Sequence, residues 1–190
     1  MTRDELEHII RASADITEQY EFIIVGSQSI LGALPGAPEE FRASREADIY
    51  PLQRPELAED IDGAIGEGSQ FHDTYGYYAQ GVGPETAVLP FDWMSRVHRV
   101  QSQGTDGKLG YCLDLPDLLL SKAAAGRDKD REFCTAMFAH NLVTLDQVLA
   151  LIPRIARTAF SESTPSGRSF SYPNRPNSPA ICPSVFRPIT

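Results

Sequence analysis

The sequence predicts a mixed α/β (α+β) fold, a sheet flanked by helices and closed by a C-terminal helical block. Three observations predict it. Short β-branched and aromatic runs, "FIIV" at 22–25 and "EADIYPL" at 46–52, suit strands. Stretches with apolar residues at helical spacing alternate with those runs. From residue 115 to about 157 the helical patterns recur without a strand between them.

The elements follow in order. Thr2 with Glu5 has the capping-box spacing, and Leu6, Ile9, Ile10, Ile16 and Tyr20 recur at helical period, so a helix is predicted over about 3–19. "FIIV" suits a strand buried on both faces. Gly26 and Ser27 turn the chain, and "QSILGAL" makes a short helix. "LPGAPEEFRAS" is a Pro/Gly loop before the second strand, "EADIYPL", which Pro51 and Pro55 end. "PELAEDIDGAIGEG" reads as an acidic amphipathic helix with Leu57, Ile61 and Ile65 inward.

"HDTYGYYAQGV" and "ETAVLP" read as two strands around a Gly-Pro turn. "SRVHRVQ" reads as a further strand, "QGTDGKLG" as a turn, and "YCLDL" leads into the helix "PDLLLSKAAAG". Pro116 lies near that helix's first turn, where proline is tolerated. After Gly126, Phe133, Met137 and His140 share one face of the next helix. Thr144 with Gln147 starts the last helix, with Leu145, Val148, Ile152 and Ile155 at helical spacing. The expected organisation is an α/β core over 1–114, a helical block of the same domain over 115–157, and a Ser/Pro-rich, disordered tail over 158–190.

The totals exclude several classes. The chain has 190 residues, enough for one domain with a real core. No apolar run approaches the roughly 20 residues that span a bilayer, and "MTRDELEHII" carries acids where a signal peptide would be basic. A cytoplasmic protein with no membrane partner is therefore expected. A net charge of −9 argues against a broad DNA-binding face, though not against a local basic pocket. Cys112, Cys134 and Cys182 are odd in number and widely spaced, and His8, His72, His98 and His140 are scattered. Neither set has zinc-ligand spacing.

One pair of segments carries chemistry. Glu46 and Asp48 stand at i and i+2 of a strand, so both point to one face, about 7 Å apart along the backbone. Two carboxylates so placed can converge on magnesium, with substrate phosphates and waters completing the octahedron. Gly26-Ser27, at the end of the preceding strand, can offer backbone N–H groups and a hydroxyl to a phosphate. Read separately, these are a turn and a wet strand face. Read in order, they also fit the phosphate side and the metal side of a phosphoryl- or nucleotidyl-transfer site; on the residues alone a turn followed by a wet strand face is the other reading.

The same residues resemble a known family. "VGSQSILG" followed by "RASREADIY" resembles the nucleotidyltransferase signature, a hydrophobic-Gly-Ser turn and then a strand carrying two carboxylates. The form Arg42-x-Ser44-x-Glu46-x-Asp48 is similar to the AbiEii-like nucleotidyltransferases of type IV toxin–antitoxin systems and related bacterial domains. "LPDLLLSKAAAGRDKDREF" is similar to that family's later helical motif, with Lys122, Arg127, Lys129 and Asp130.

The resemblance, over about 20–155, implies a nucleotidyltransferase-like fold and a magnesium-dependent transfer from an NTP to an RNA or protein acceptor, with a possible antitoxin-like partner. It implies Glu46 and Asp48 as metal ligands. It implies Gly26, Ser27, Arg42, Lys122, Arg127 and Lys129 as nucleotide-binding residues, and Glu46, Asp48, Lys122 and Asp130 as the catalytic set. On the residues alone, "RDKDRE" is equally a solvated, self-paired helix face.

Two departures accompany the resemblance. Glu46 stands where the family usually has aspartate, and no third carboxylate is evident, Asp92, Asp106 and Asp114 being the candidates. The alternative to an enzyme is a catalytically impaired binding or regulatory module on the same fold. The aromatic stretch "FHDTYGYYAQGV" is expected to line the nucleotide or acceptor pocket through Tyr77 or Tyr78; core or cross-strand packing is the other reading.

Overall fold

A computed structural model describes residues 1–159, with side chains to residue 155. The helices are α1 (Arg3–Thr17), α2 (Ile30–Ala33), α3 (Ala58–Ile65), α4 (Gln70–Tyr75), α5 (Leu115–Ala125), α6 (Asp128–Ala139) and α7 (Leu145–Ala159). The strands are β1 (Glu21–Val25), β2 (Glu46–Pro51), β3 (Tyr78–Gly81), β4 (His98–Val100) and β5 (Leu109–Cys112). They form one mixed sheet in the order β3-β2-β1-β5-β4. Strand β1 is antiparallel to β2 and parallel to β5, β2 is parallel to β3, and β4 is antiparallel to β5. The mixed α/β class and the helical block are as the sequence indicates.

Register and parity assign the faces. Ala79 and Gly81 share one face of β3, and a Cβ on Gly81 would lie 1.8 Å from the Ala58 carbonyl oxygen, so α3 covers that face. A Cβ on Gly110 of β5 would lie 2.7 Å from Ile10, so α1 packs on the same face. Glu46, Asp48, Tyr78 and Gln80 have the opposite parity and face the other side. Strand β1 is the core of the molecule: Phe22, Ile23, Ile24 and Val25 are all buried. Its continuous apolar run is what a central strand with two covered faces requires.

Some elements depart from expectation. Residues 70–75 are helix α4 rather than strand, because Ser69 accepts from the His72 N–H at one end and Gly76, at φ +75°, ends it at the other. "ETAVLP" is a 3-10 turn (Pro84–Thr86) followed by irregular backbone, not a strand. Helix α7 turns Val148 and Leu151 inward, while Leu145 and Ile152 are 60% and 47% exposed. The seam against α5 thus runs Val148–Leu151, not through Leu145 and Ile152. The expected tail over 158–190 lies outside the described residues, apart from the two that end α7. Among the described residues no helix is long and apolar enough to cross a membrane.

Candidate active site

Strand β1 ends in Gly26, at φ +65° and ψ −167°. That backbone conformation is open essentially to glycine alone. The position also requires glycine for space: a Cβ there would lie 1.7 Å from Asp48 Oδ2. The Asp48 carboxylate therefore rests against the turn backbone. Ser27 opens a 3-10 turn (Ser27–Ser29) that runs directly into the four residues of α2. So short a helix supplies little macrodipole. What the turn offers an anion is the Ser27 hydroxyl and local N–H groups.

Register places the carboxylates. Asp48 pairs with Val25 of β1 and with Gln80 of β3, and Glu46 pairs with Tyr78. The Tyr78 hydroxyl donates to Glu46 Oε2 at 3.2 Å. Burial, followed by the negative Glu46 beside it, pushes the Asp48 carboxyl up to about 6. Lys122, Arg127 and Lys129 pull the other way without cancelling that rise. Burial and Glu46 also push the Tyr78 phenol up to about 12.

Further lining comes from α5, α6 and the residues that join them. Gly126 ends α5 at φ +67°, and α6 folds back from it. Glycine adopts that left-handed backbone without a steric penalty. The break brings Lys122 and Asp130 together across two helices, with Nζ–Oδ1 at 3.2 Å. Arg127 grips the same carboxylate, its Nε 2.6 Å from Oδ2 and its Nη2 3.2 Å from Oδ1. Asp130 is buried at 1% exposure and Lys122 at 7%. Burial raises the Asp130 carboxyl, but Arg127 and Lys122 outweigh it and hold the group below the usual carboxylate range. The Lys122 ammonium also lies 5.6 Å from the Phe133 ring centroid. "RDKDRE" is thus not only a solvated self-paired face: Asp130 is the buried pin that holds two cations at the cavity wall.

These walls enclose one cavity of about 760 Å³, within the range of small-molecule sites. Gly26, Ser27, Glu46, Asp48, Lys122, Arg127, Lys129 and Asp130 all line it. Arg42 does not; its Nε is buried without a hydrogen-bonding partner, and its carbonyl accepts from the Met1 ammonium. The aromatic stretch contributes differently from expectation. Tyr77 is buried with its hydroxyl 2.7 Å from His8 Nδ1, away from the cavity. From this region only Gln80 and Val82 line the cavity.

The third-carboxylate candidates lie outside the lining. Asp92 pairs with Arg96 and Arg154, Asp114 with His98, and Asp106 sits in a tight turn at φ +52°. Among the described residues no group of three His, Cys, Asp or Glu side chains could hold a metal ion. A cation here would be held by Glu46 and Asp48 with oxygens from its ligand, which is a sufficient protein share for magnesium. The donor chemistry fits: two carboxylates on one face, one held up by burial and by its neighbour, are relieved by a dication.

Sequence reasoning missed Tyr78 as a partner of Glu46, and Gln80. The signal was available in the alternation Tyr78-x-Gln80-x-Val82, which puts all three on one strand face.

A family model described as a nucleotidyltransferase of unknown function (DUF6036) matches residues 4–169. The match covers most of the chain, and the chain belongs to this family. No curated protein and no solved structure matches it.

Proposed function

We propose, from the premise that the chain belongs to this nucleotidyltransferase family, that it transfers a nucleotidyl group from an NTP to an acceptor hydroxyl with the help of magnesium. One observation carries the reading: a single cavity is lined both by Glu46 and Asp48 with the Gly26-Ser27 turn and by Lys122, Arg127 and Lys129. The carboxylates suit a cation, and the cationic wall suits the phosphates that would bridge to it.

When bound, magnesium would supply charge neutralisation and polarisation at the α-phosphate. The chain's residues do the rest. Ser27 and Lys122 hold the departing β- and γ-phosphates. Arg127, anchored by Asp130, and Lys129 add positive charge at the same wall. In the transfer, the acceptor oxygen bonds to the α-phosphorus as the bond to the α,β-bridging oxygen breaks. Pyrophosphate leaves, and the acceptor proton goes to solvent. RNA and protein hydroxyls are the acceptor classes, and the toxin-like role and antitoxin-like partner rest on the motif resemblance alone.

A second reading has its own observation. Gln80, not a carboxylate, pairs with Asp48 in the cavity, which favours a module that binds nucleotide and transfers slowly or not at all. Calorimetry with non-hydrolysable NTPs, with and without magnesium, tests what both readings share. Binding that strengthens with magnesium and is lost in Asp48→Ala and Lys122→Ala supports them. Binding indifferent to magnesium and to both substitutions sinks them.

A further inference from the structure

We propose that Tyr78 is a positioning residue that fixes the Glu46 carboxylate for metal binding and so lets a glutamate work where the strand places it. The proposal rests on the reading of Glu46 and Asp48 as the metal side of the site. The two carboxylates are held by different means. Asp48 is short and rests against the Gly26 backbone, where no side chain could stand. Glu46 is one methylene longer and has one more torsion to restrain. Its Oε2 accepts from the Tyr78 hydroxyl at 3.2 Å, and among the described residues its Oε1 has no hydrogen bond. That contact follows from register: Glu46 and Tyr78 are partners on parallel strands, so their side chains leave the sheet on the same face.

Tyr78 is itself held. Its ring centroid lies 4.6 Å from that of His72. His72 Nδ1 accepts from the Gly68 N–H at 3.0 Å, which fixes the ring. The Tyr78 N–H donates to the Arg45 carbonyl at 3.0 Å, the residue before Glu46. The ring stacking and the backbone bond restrain the position from which the hydroxyl donates to Glu46. Carboxylates that bind metal commonly depend on such hydrogen bonds for their orientation.

The test titrates Mn2+ into the protein in the presence of inorganic tripolyphosphate, reading free Mn2+ by electron paramagnetic resonance. Mn2+ shares magnesium's preference for oxygen ligands, and tripolyphosphate stands in for an NTP of any base. Wild type, Tyr78→Phe, Glu46→Gln, the double variant and Asp48→Ala are compared, each against a protein-free tripolyphosphate blank, with circular dichroism to confirm folding. Tyr78→Phe is expected to weaken Mn2+ binding about 10-fold and to leave metal-free tripolyphosphate binding unchanged. In the Glu46→Gln background it should add nothing. Equal Mn2+ affinity in wild type and Tyr78→Phe, with Asp48→Ala impaired, overturns the role of Tyr78 and leaves the proposed function standing. An undiminished effect of Tyr78→Phe in the Glu46→Gln background also overturns it. Failure of wild type itself to bind Mn2+ overturns the functional reading and this proposal together.

Discussion

Asp48 occupies the space that a side chain on Gly26 would need, its Oδ2 lying 1.7 Å from where that Cβ would be. The turn after β1 and the carboxylate of β2 are therefore one structural unit. Gly26→Ala must both adopt a glycine-only conformation and displace Asp48. A loss of about 1–3 kcal/mol in urea unfolding is expected, together with loss of magnesium-dependent nucleotide binding. An alanine variant with wild-type stability and binding would show that the two residues are not so coupled.

The ionisation of Asp48 opposes folding. Its carboxyl is raised from 3.8 to about 6 in the fold, so the folded state binds this proton more tightly than the unfolded chain does. The opposing contribution is absent below about pH 4, grows between pH 4 and 6, and is complete above pH 6. Asp48→Asn should accordingly stabilise the metal-free protein by about 1–3 kcal/mol at pH 7.5, and by nothing at pH 3.5. Paired urea titrations at the two pH values measure the difference. A gain at pH 3.5 equal to that at pH 7.5 would contradict the assignment.

Much of this site was legible in the sequence because it is local. Gly26-Ser27 and Glu46-x-Asp48 each lie within three residues, so a turn signal marks the first and strand parity orients the second. The helical half was legible as a set of residues but not as an arrangement. Whether Asp130 faces Lys122 depends on the left-handed break at Gly126, which composition marks only as possible. The misread aromatic stretch shows the opposite failure. Tyr75, Tyr77 and Tyr78 favour strand by propensity, but Ser69 and Gly76 cap a short helix first, and of the three only Tyr78 enters β3. Arg42, in the 3-10 turn Glu39–Arg42, falls outside the cavity lining; a motif spacing says nothing about which way such a side chain turns.

Lys122 holds structure and site together. Lys122→Met leaves Asp130 buried with Arg127 as its remaining cation. The expected loss is about 1–3 kcal/mol of stability, with a larger fractional loss of nucleotide affinity. Lys122→Arg should recover the stability more fully than the binding, since a planar fork replaces a compact ammonium. Thermal denaturation and calorimetry on the same samples separate the two effects.

Tyr77 provides a contrast to Tyr78. It is buried against His8 and Phe71, on the face away from the cavity. Tyr77→Phe removes the hydrogen bond to His8 and should cost about 1 kcal/mol without changing nucleotide affinity. A selective loss of affinity at unchanged stability would return the aromatic stretch to the pocket.

A buried ion pair outside the cavity lining serves as a control. Asp117 is fully buried, and Arg96 grips it through Nε–Oδ2 and Nη2–Oδ1 bonds of 2.8 Å each. Arg96→Ala strands that charge and is expected to destabilise the fold by about 3–5 kcal/mol. Urea unfolding checks it; a change under 1 kcal/mol would mean that the pair is readily replaced by water.

The most direct measurement follows label from the NTP. The protein is incubated with magnesium, total RNA or total protein, and each NTP labelled at either the α- or the γ-phosphate. The account predicts covalent transfer of α-label and not of γ-label, with release of pyrophosphate, and its loss in Asp48→Ala. No transfer from any NTP, with wild type and Asp48→Ala equal in nucleotide binding, would contradict it.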